Sequence, residues 1–316
     1  MTEIFLISLA VLFAVNMGGS GITPVFAAEF GGGVISKKGA SILFACFVLL
    51  GAYILGFRVV RVISRGLINE ELITAPAGII IFTATTLSLF LTNMLHIPAS
   101  TSQITVFSIV GYGFYYDAVK WGIFKRLVPM WLILPVCSFI LTYIAGRYLY
   151  PKIKHWDHKS IKFWDIATSC YTAFSIGANN VANATGVLSG TGIMSSRVAT
   201  FMLAPFFGVG GFLLGEGNLK SLGKKVTALD LVSAGIVSLV TGTLLVTASL
   251  IGLPQSLVQL NSFAIFGFGV ANKGKGMRKL GKKIIIKSFI IWTMSPVIGF
   301  TIALAMTHIV KYTGIF

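Results

Sequence analysis

The sequence predicts an all-α polytopic membrane protein made of two inverted repeats, with broken or re-entrant half-helices meeting near the membrane midplane. Hydrophobic residues make up 55% of the chain and charged residues only 11%, whereas soluble domains are about a quarter charged. Apolar runs near the spanning length recur along the chain. Matched segments also recur in its two halves, which is typical of proteins built from internal repeats.

The apolar runs approach the roughly 20 residues that cross a bilayer as a helix. The first, Ile4–Val15, is as short as the core of a signal peptide. Glu3 precedes it and no basic segment does, so we expect it to be retained. The later runs are Ala40–Gly56, Ile73–Leu95, Val128–Ala145, Ala199–Gly215, Leu229–Leu253 and Phe289–Val310. They predict a multi-pass protein of a cell inner membrane or plasma membrane.

Charge and cysteine content exclude other classes of protein. The net charge of +16 falls mainly in the connections between apolar runs, where Lys and Arg face anionic lipid. We therefore expect membrane lipid as a partner and no nucleic acid; a homodimer is a further hypothesis. Cys46, Cys137 and Cys170 are isolated in apolar sequence, without a spacing typical of metal or redox centres. We expect no cofactor.

Two pairs of segments match at nearly the same shift along the chain. A shift of 159 residues places Asn16–Ser36 on Ser175–Ser195, and a shift of 156 places Pro98–Gly113 on Pro254–Gly269. Matched Gly, Ser, Pro and Gln residues in both pairs indicate two homologous halves.

The halves are expected at residues 1–150 and 163–316, joined by a basic linker at 151–162. Because Lys and Arg concentrate in cytoplasmic connections, we expect the linker to be cytoplasmic, together with the densest basic loop. That loop contains Lys273, Lys275, Arg278, Lys279, Lys282, Lys283 and Lys287. The first-half counterpart of that loop carries Lys120, Lys125 and Arg126 and lies one span before the linker, so it is expected outside. The second half is then inverted relative to the first.

Gly and Asn interrupt the matched segments, and both lower helix stability. In a membrane, broken backbone is tolerated where it is buried in protein or lines a cavity, and the half-helix after the break directs its free N–H groups there. An anion suits such a place. We expect four broken or re-entrant elements, Met17–Gly33, Ile97–Gly113, Ile176–Gly192 and Leu253–Gly269. Interhelical packing of small and polar residues is the alternative interpretation.

Two motifs in these segments carry a family resemblance. GANNVANA (Gly177–Ala184) resembles the GANDVANA signature of the inorganic phosphate transporter family, and PASTSQ (Pro98–Gln103) is similar to that family's Pro-x-Ser-Thr-Thr-His element. The resemblance extends over nearly the whole chain. It implies a symporter of a tetrahedral oxyanion, not an enzyme, in which the signature segments and the Ser-Thr elements line the anion site.

The departures from the family pattern are informative. Asn180 replaces the signature Asp, and Gly21 stands where the first half would carry the other Asp. PQSLVQ (Pro254–Gln259) lacks Thr-Thr-His. This pattern resembles the sulfate permease branch of the family.

The chemistry of the anions supports the same branch. Hydrogen phosphate carries an O–H that a carboxylate can accept, whereas sulfate has only acceptor oxygens and needs donors. We therefore expect import of sulfate, or a related tetrahedral oxyanion such as selenate, molybdate or thiosulfate, by alternating access. The alternatives are an inorganic phosphate symporter and a passive anion channel.

The candidate anion ligands lie in the four interrupted segments. They are Ser20, Gly21, Ser100, Thr101, Asn179, Asn180, Asn183, Gln255 and Ser256. For Ser100 and Thr101 the alternative role is capping of a half-helix.

The coupling ion is left open between a proton and sodium. Glu29 is the only acid in the four segments and is the candidate coupling residue; an interfacial ion pair is its alternative role. A sodium site is a hypothesis for the surroundings of Asn179 and Asn180. Asp165 and Asp230 open apolar runs and are interpreted as helix starts.

Overall fold

The computed structural model describes residues 1–94, 99–225 and 230–314; the side chains of residues 93–94, 216–225, 273–289 and 291 lie outside that description. Within the described residues the fold is helical, without a strand and with one isolated bridge between Ile68 and Val119. The helices are α1 (Thr2–Gly21), α2 (Thr23–Gly31), α3 (Lys37–Leu55), α4 (Phe57–Arg61), α5 (Ala75–Met94), α6 (Thr101–Tyr115), α7 (Trp121–Tyr148), α8 (Tyr150–Ile153), α9 (His158–Asn179), α10 (Ala182–Gly190), α11 (Ser196–Lys225), α12 (Leu231–Leu250) and α13 (Leu257–Thr313).

In the described part of the chain, seven helices are long and apolar enough to cross a membrane. Each corresponds to one predicted apolar run, which confirms the multi-pass all-α fold. The spans are Thr2–Gly21, Lys37–Leu55, Ala75–Thr92, Trp121–Tyr148, Ser196–Gly215, Leu231–Leu250 and Trp292–Thr313. Helix α9 is as long but more polar, and it packs inside the bundle against α3 and α12.

Two of the predicted breaks are kinks between consecutive helices. Ile22 separates α1 from α2, and Asn180 and Val181 separate α9 from α10. All three residues keep right-handed helical dihedral angles, so the chain changes direction without an extended loop. Pro24 contributes to the first kink because it has no N–H to donate to the preceding turn.

The other two predicted elements are half-helices preceded by extended residues. Helix α6 begins at Thr101 after Ser100, and α13 begins at Leu257 after Ser256. Ile97 and Pro98 lie outside the described residues.

Glycines bring helices of the two halves into backbone contact. A Cβ added at Gly18 would overlap the carbonyl oxygen of Phe207, and one added at Gly177 would overlap that of Val48. The shift of 159 residues converts the first contact, between α1 and α11, into the second, between α9 and α3.

The same relation recurs one turn away. A Cβ at Gly51 would overlap the Phe174 carbonyl oxygen, and a Cβ at Gly210 would overlap that of Val15. These reciprocal contacts support structural equivalence of the two halves. The inverted orientation and the boundaries 1–150, 151–162 and 163–316 stay predictions.

Helix α13 spans 57 residues but does not run straight. The rings of Phe263 and Trp292 lie 6.1 Å apart, whereas a straight helix would separate them by about 40 Å. The chain therefore doubles back within α13. The basic segment 273–287, expected as a loop, falls inside this range, and its side chains lie outside the description.

One aspartate is a helix start and the other is not. Asp230 caps α12, because the Ser233 N–H donates to its Oδ1 at 2.8 Å. Asp165 lies two turns inside α9 and is fully buried, so its interpretation as a helix start is wrong. The cap of α9 is Asp157, which accepts the N–H groups of Lys159 and Ser160. Helix α9 begins before the apolar run, because Asp157 caps a polar first turn that starts at His158.

Two groups near these caps titrate away from their usual range. Hydrogen bonds from Ser160 lower the pKa of the Asp157 carboxyl. Tyr150 donates to Asp230 Oδ2 at 2.6 Å, and this bond raises the pKa of Tyr150 to about 12.

Candidate functional site

A cavity of about 380 Å³ lies between the α1–α2 kink, the α9–α10 kink, α12 and the first turns of α6 and α13. Its polar lining residues are Asn16, Ser20, Thr23, Thr101, Asn180, Ser238, Asn261 and Ser262. Among the described residues that line it, none is acidic or basic. The wall therefore offers neutral hydroxyl and carboxamide groups to a ligand.

The structure brings four predicted anion ligands together on this wall. They are Ser20, Gly21, Thr101 and Asn180. Asn180 Oδ1 is a buried atom without a hydrogen-bond partner among the described residues. Ser20 Oγ donates back to the Met17 carbonyl at 3.1 Å, so this hydroxyl must turn away from that carbonyl to donate to a ligand.

Ser100 and Ser256 are placed as helix caps, off the cavity wall. Ser100 Oγ accepts the N–H of Gln103, and Ser256 Oγ accepts the N–H of Gln259, each at 3.3 Å. The alternative role considered for Ser100 is thus its observed one. Thr101, which follows that cap, lines the cavity. A ligand role for the two serines stays a prediction.

Asn179 holds the connection between α12 and α13. Its Nδ2 donates to Ser249 Oγ at 3.0 Å and to the Leu253 carbonyl at 2.9 Å, while its Oδ1 accepts the Gln255 N–H at 2.8 Å. The carboxamide is fully buried and has a partner on each of its polar atoms. This role does not require a ligand.

Asn183 and Gln255 form a buried polar cluster with Ser102 behind the wall. Asn183 Nδ2 donates to Ser102 Oγ at 3.0 Å, and Ser102 Oγ donates to the Gln255 carbonyl at 3.1 Å. Asn183 Oδ1 and both polar side-chain atoms of Gln255 have no partner among the described residues. Buried polar atoms are normally hydrogen-bonded, so this cluster is open to a further polar contact.

Sequence reasoning missed several polar lining residues. Asn16, Thr23, Asn261 and Ser262 lie within the matched segments, and Ser238 lies on α12. A signal was present, because a carboxamide in an apolar run needs a partner or a cavity. Asn261 Nδ2 donates to the Pro24 carbonyl at 3.4 Å, which links α13 to the first kink.

Two helix N-termini add to the electrostatics of the cavity. Thr101 begins α6, and Leu257 and Val258 begin α13; all three line the cavity. The first turn of a helix carries N–H groups without intrahelical partners and the positive end of the helix dipole. The two helix N-termini therefore favour an anion in the cavity even though no described residue on its wall carries a charged side chain.

Glu29 lies off the wall, buried at 0% exposure. Ser169 Oγ donates to its Oε1, and its Oε2 has no partner in the described part of the chain. The interfacial ion pair considered for Glu29 is therefore absent among the described residues. Its coupling role stays a prediction.

The sodium hypothesis near Asn179 and Asn180 receives uneven support. Asn179 Oδ1 is occupied by the Gln255 N–H, whereas Asn180 Oδ1 is unpartnered. The described residues contain no group of three or more His, Cys, Asp or Glu side chains that could hold a metal ion.

Comparison with known proteins agrees with this architecture. The sequence model of the phosphate transporter family matches residues 17–155 and 147–303. The sulfate permease CysP of Bacillus subtilis is 35% identical over 309 residues, which cover 95% of this chain and 86% of that protein. A solved structure described as the sodium-dependent phosphate transporter has a TM-score of 0.85 at 19% identity, and covers 98% of this chain and 99% of that chain.

These matches confirm the resemblance carried by GANNVANA, including the likeness to a sulfate permease that the departures at Gly21 and Asn180 indicated. The family matches cover both halves, and the structural likeness covers nearly the whole chain. The chain therefore belongs to the phosphate transporter family, as a multi-pass membrane transporter and not an enzyme.

Proposed function

We propose that this transporter imports inorganic sulfate by alternating access, as a secondary active permease coupled to a proton or a sodium ion. The family supports transport of phosphate or sulfate, and the likeness to a sulfate permease favours the second anion. The single observation that carries the choice is the neutral cavity wall, which offers hydroxyl and carboxamide donors and, among its described residues, no carboxylate.

The wall matches the hydrogen-bonding needs of sulfate. All four sulfate oxygens accept hydrogen bonds and none donates. The Thr101 hydroxyl and the Asn180 side-chain amide are donors on this wall, and the Ser20 hydroxyl becomes one when it turns from the Met17 carbonyl to the anion. The N-termini of α6 and α13 add backbone N–H groups. A fixed carboxylate in this space would repel a dianion, and neither Asn180 nor Gly21 introduces one.

Alternating access is supported by the position of the cavity. It lies at the two kinks and the two half-helix starts, where segments of both halves meet. Binding sites of transporters with inverted repeats occupy such a position. The polar cluster of Ser102, Asn183 and Gln255 also joins the two halves, because Asn183 donates to Ser102 and Ser102 donates to the Gln255 carbonyl.

The test is uptake of labelled sulfate and phosphate by the purified protein in proteoliposomes, with imposed sodium and pH gradients. We expect accumulation of sulfate above its external concentration and competition by selenate. Preferential uptake of phosphate would show that phosphate, and not sulfate, is the substrate. Uptake that never exceeds the external concentration would indicate a passive channel.

A matched pair of serines tests the site itself. Ser20 and Ser8 both lie on α1 and both donate to the carbonyl four residues earlier, at 3.3 and 2.9 Å, but only Ser20 lines the cavity. Ser20→Ala should weaken sulfate uptake while Ser8→Ala retains it. Equal uptake by the two variants would place the anion elsewhere.

Asn180→Asp tests the electrostatic argument. A carboxylate within a few Å of a dianion repels it by on the order of a few kcal/mol at an intermediate dielectric, more than a lost neutral hydrogen bond costs. We expect much weaker sulfate binding at a pH where the new carboxylate is ionised. Unchanged affinity would show that residue 180 does not face the anion.

A further inference from the structure

Two buried carboxylates lie on neighbouring helices beside the cavity. Glu29 on α2 and Asp165 on α9 are both 0% exposed, and their two helices pack against each other. Ser169, one turn after Asp165, donates to Glu29 Oε1 and joins the two helices.

Neither carboxylate is neutralised by its surroundings. Glu29 Oε2 and both oxygens of Asp165 have no hydrogen-bond partner among the described residues. The titratable groups that face the pair are Cys170 on α9 and Asp230 at the start of α12, and neither carries a positive charge.

Basic residues occur only toward the ends of the helices packed against the pair. They are Lys37 and Lys38 at the start of α3, Arg58 and Arg61 on α4, His158, Lys159 and Lys162 at the start of α9, Arg197 at the start of α11, and Lys220, Lys224 and Lys225 at its end. Among those whose side chains are described, none forms a hydrogen bond or an ion pair with Glu29 or Asp165.

This arrangement favours protonation of the pair. Removing a carboxylate from water costs several kcal/mol when no partner replaces the water, and a second carboxylate beside it adds repulsion. One proton bound at either carboxyl removes one of the charges and with it the repulsion between the two groups. The two groups then titrate as a unit.

The pair lies immediately behind the cavity wall. Ala27 and Ala28, which precede Glu29, line the cavity, and so does Ser238 on α12. Thr172, one turn beyond Ser169 on α9, donates to the Ser238 carbonyl at 2.9 Å. A dianion in the cavity raises the cost of negative charge at the pair, so anion binding and proton binding favour each other by linkage.

We propose that Glu29 and Asp165 together form the proton-binding site that couples proton import to anion import, with Ser169 as the residue that positions Glu29. The proposal rests on the anion-transport function above and selects the proton over sodium as the coupling ion. Asp165 is included in the proposed site because it is buried and both of its carboxylate oxygens lack a partner among the described residues. No sequence motif indicated it.

The first test uses proteoliposomes with the membrane potential held at zero and the interior one pH unit more alkaline. One proton carried per anion should drive about tenfold accumulation of sulfate in the wild type. Glu29→Gln and Asp165→Asn should abolish this response, whereas Glu3→Gln, an exposed acid on α1, should retain it. Accumulation that responds to sodium alone, or a full pH response in Asp165→Asn, would overturn the proposal.

The second test is independent of transport. Calorimetry of sulfate binding in two buffers of different ionisation enthalpy should show proton uptake by the wild type and none by Asp165→Asn. Equal proton uptake by both would contradict the shared site. Retained sulfate binding in the variant would also show that it is folded.

A third measurement separates this proposal from the proposed function. If the wild type neither binds nor transports sulfate, the proposed function is wrong. Infrared spectroscopy of the purified protein then tests the protonation of Glu29 and Asp165 independently of sulfate. A protonated-carboxyl band that is present in the wild type and lost in Glu29→Gln and Asp165→Asn would support the shared proton. Absence of that band in the wild type would overturn it.

Discussion

The side-chain amides of Gln103 and Gln259 hydrogen-bond to each other in both directions, with Nε2 to Oε1 distances of 3.4 and 3.1 Å. The two residues occupy equivalent positions under the shift of 156 residues, near the starts of α6 and α13. Contact between equivalent residues is expected where a local two-fold axis passes between two halves. Each glutamine satisfies the other in a place that is almost fully buried.

A double substitution at this pair should be milder than its single components suggest. Gln103→Leu leaves the Gln259 amide buried without a partner, which costs about 1–3 kcal/mol. Adding Gln259→Leu replaces both polar groups by apolar ones, so part of the loss should be regained. Thermal unfolding in detergent measures the effect. Additive losses in the double variant would argue against the reciprocal pair.

The glycine crossings predict a sharp difference between two kinds of glycine. Gly177→Ala should destabilise the protein strongly, because the new methyl group would overlap the Val48 carbonyl oxygen. Gly18→Ala should do the same against Phe207. Gly122 on α7 has no atom within 4 Å of an added Cβ, so Gly122→Ala is the control. Yield of folded protein and melting temperature should fall only in the first two, and equal stability of all three would contradict the close approach.

The adjacent asparagines at the second kink should separate stability from transport. Asn179→Ala removes three hydrogen bonds that hold the α12–α13 connection, so we expect a lower melting temperature. Asn180→Ala removes a cavity-lining group, so we expect lost sulfate uptake with the melting temperature nearly unchanged. Lost uptake in Asn179→Ala together with a lower melting temperature in Asn180→Ala would show that Asn179 faces the anion and Asn180 stabilises the fold.

The inverted arrangement is tested by labelling introduced cysteines in a variant that lacks Cys46, Cys137 and Cys170. Cysteines at Ser160 and Gly274 should resist an impermeant thiol reagent applied to intact cells. A cysteine at Asp117 or Gly122 should react. Labelling of residue 160 from outside would place the linker on the wrong side for the predicted topology.

The spans and kinks were predictable because their determinants are local. Each of the seven predicted apolar runs overlaps one of the seven helices long and apolar enough to cross a membrane in the described part of the chain, and Pro24 and the Asn-rich signature mark the two kinks. Which asparagine faces the cavity was not predictable. Asn179 and Asn180 are neighbours in sequence but differ by about 100° around a helix, and tertiary packing decides which one meets the connection to α13.

Asp165 shows the other limit of sequence reasoning. An acid in front of an apolar run is typical of a helix start, and the run that follows Asp165 fits that pattern. Its true environment depends on Glu29, which lies more than a hundred residues earlier in the chain. The five polar lining residues that were missed were hidden for a related reason, because the cavity wall combines side chains from eight helices.

The glycine crossings also bear on how the protein is made. Helix α1 leaves the ribosome about 190 residues before the part of α11 that contacts Gly18, an interval of roughly 10–40 s at ordinary rates of synthesis. During that time the Gly18 face of α1 and the Gly51 face of α3 lack the backbones against which they pack in the finished protein. The first half must therefore wait in the membrane in an incomplete state, and assembly follows completion of the chain.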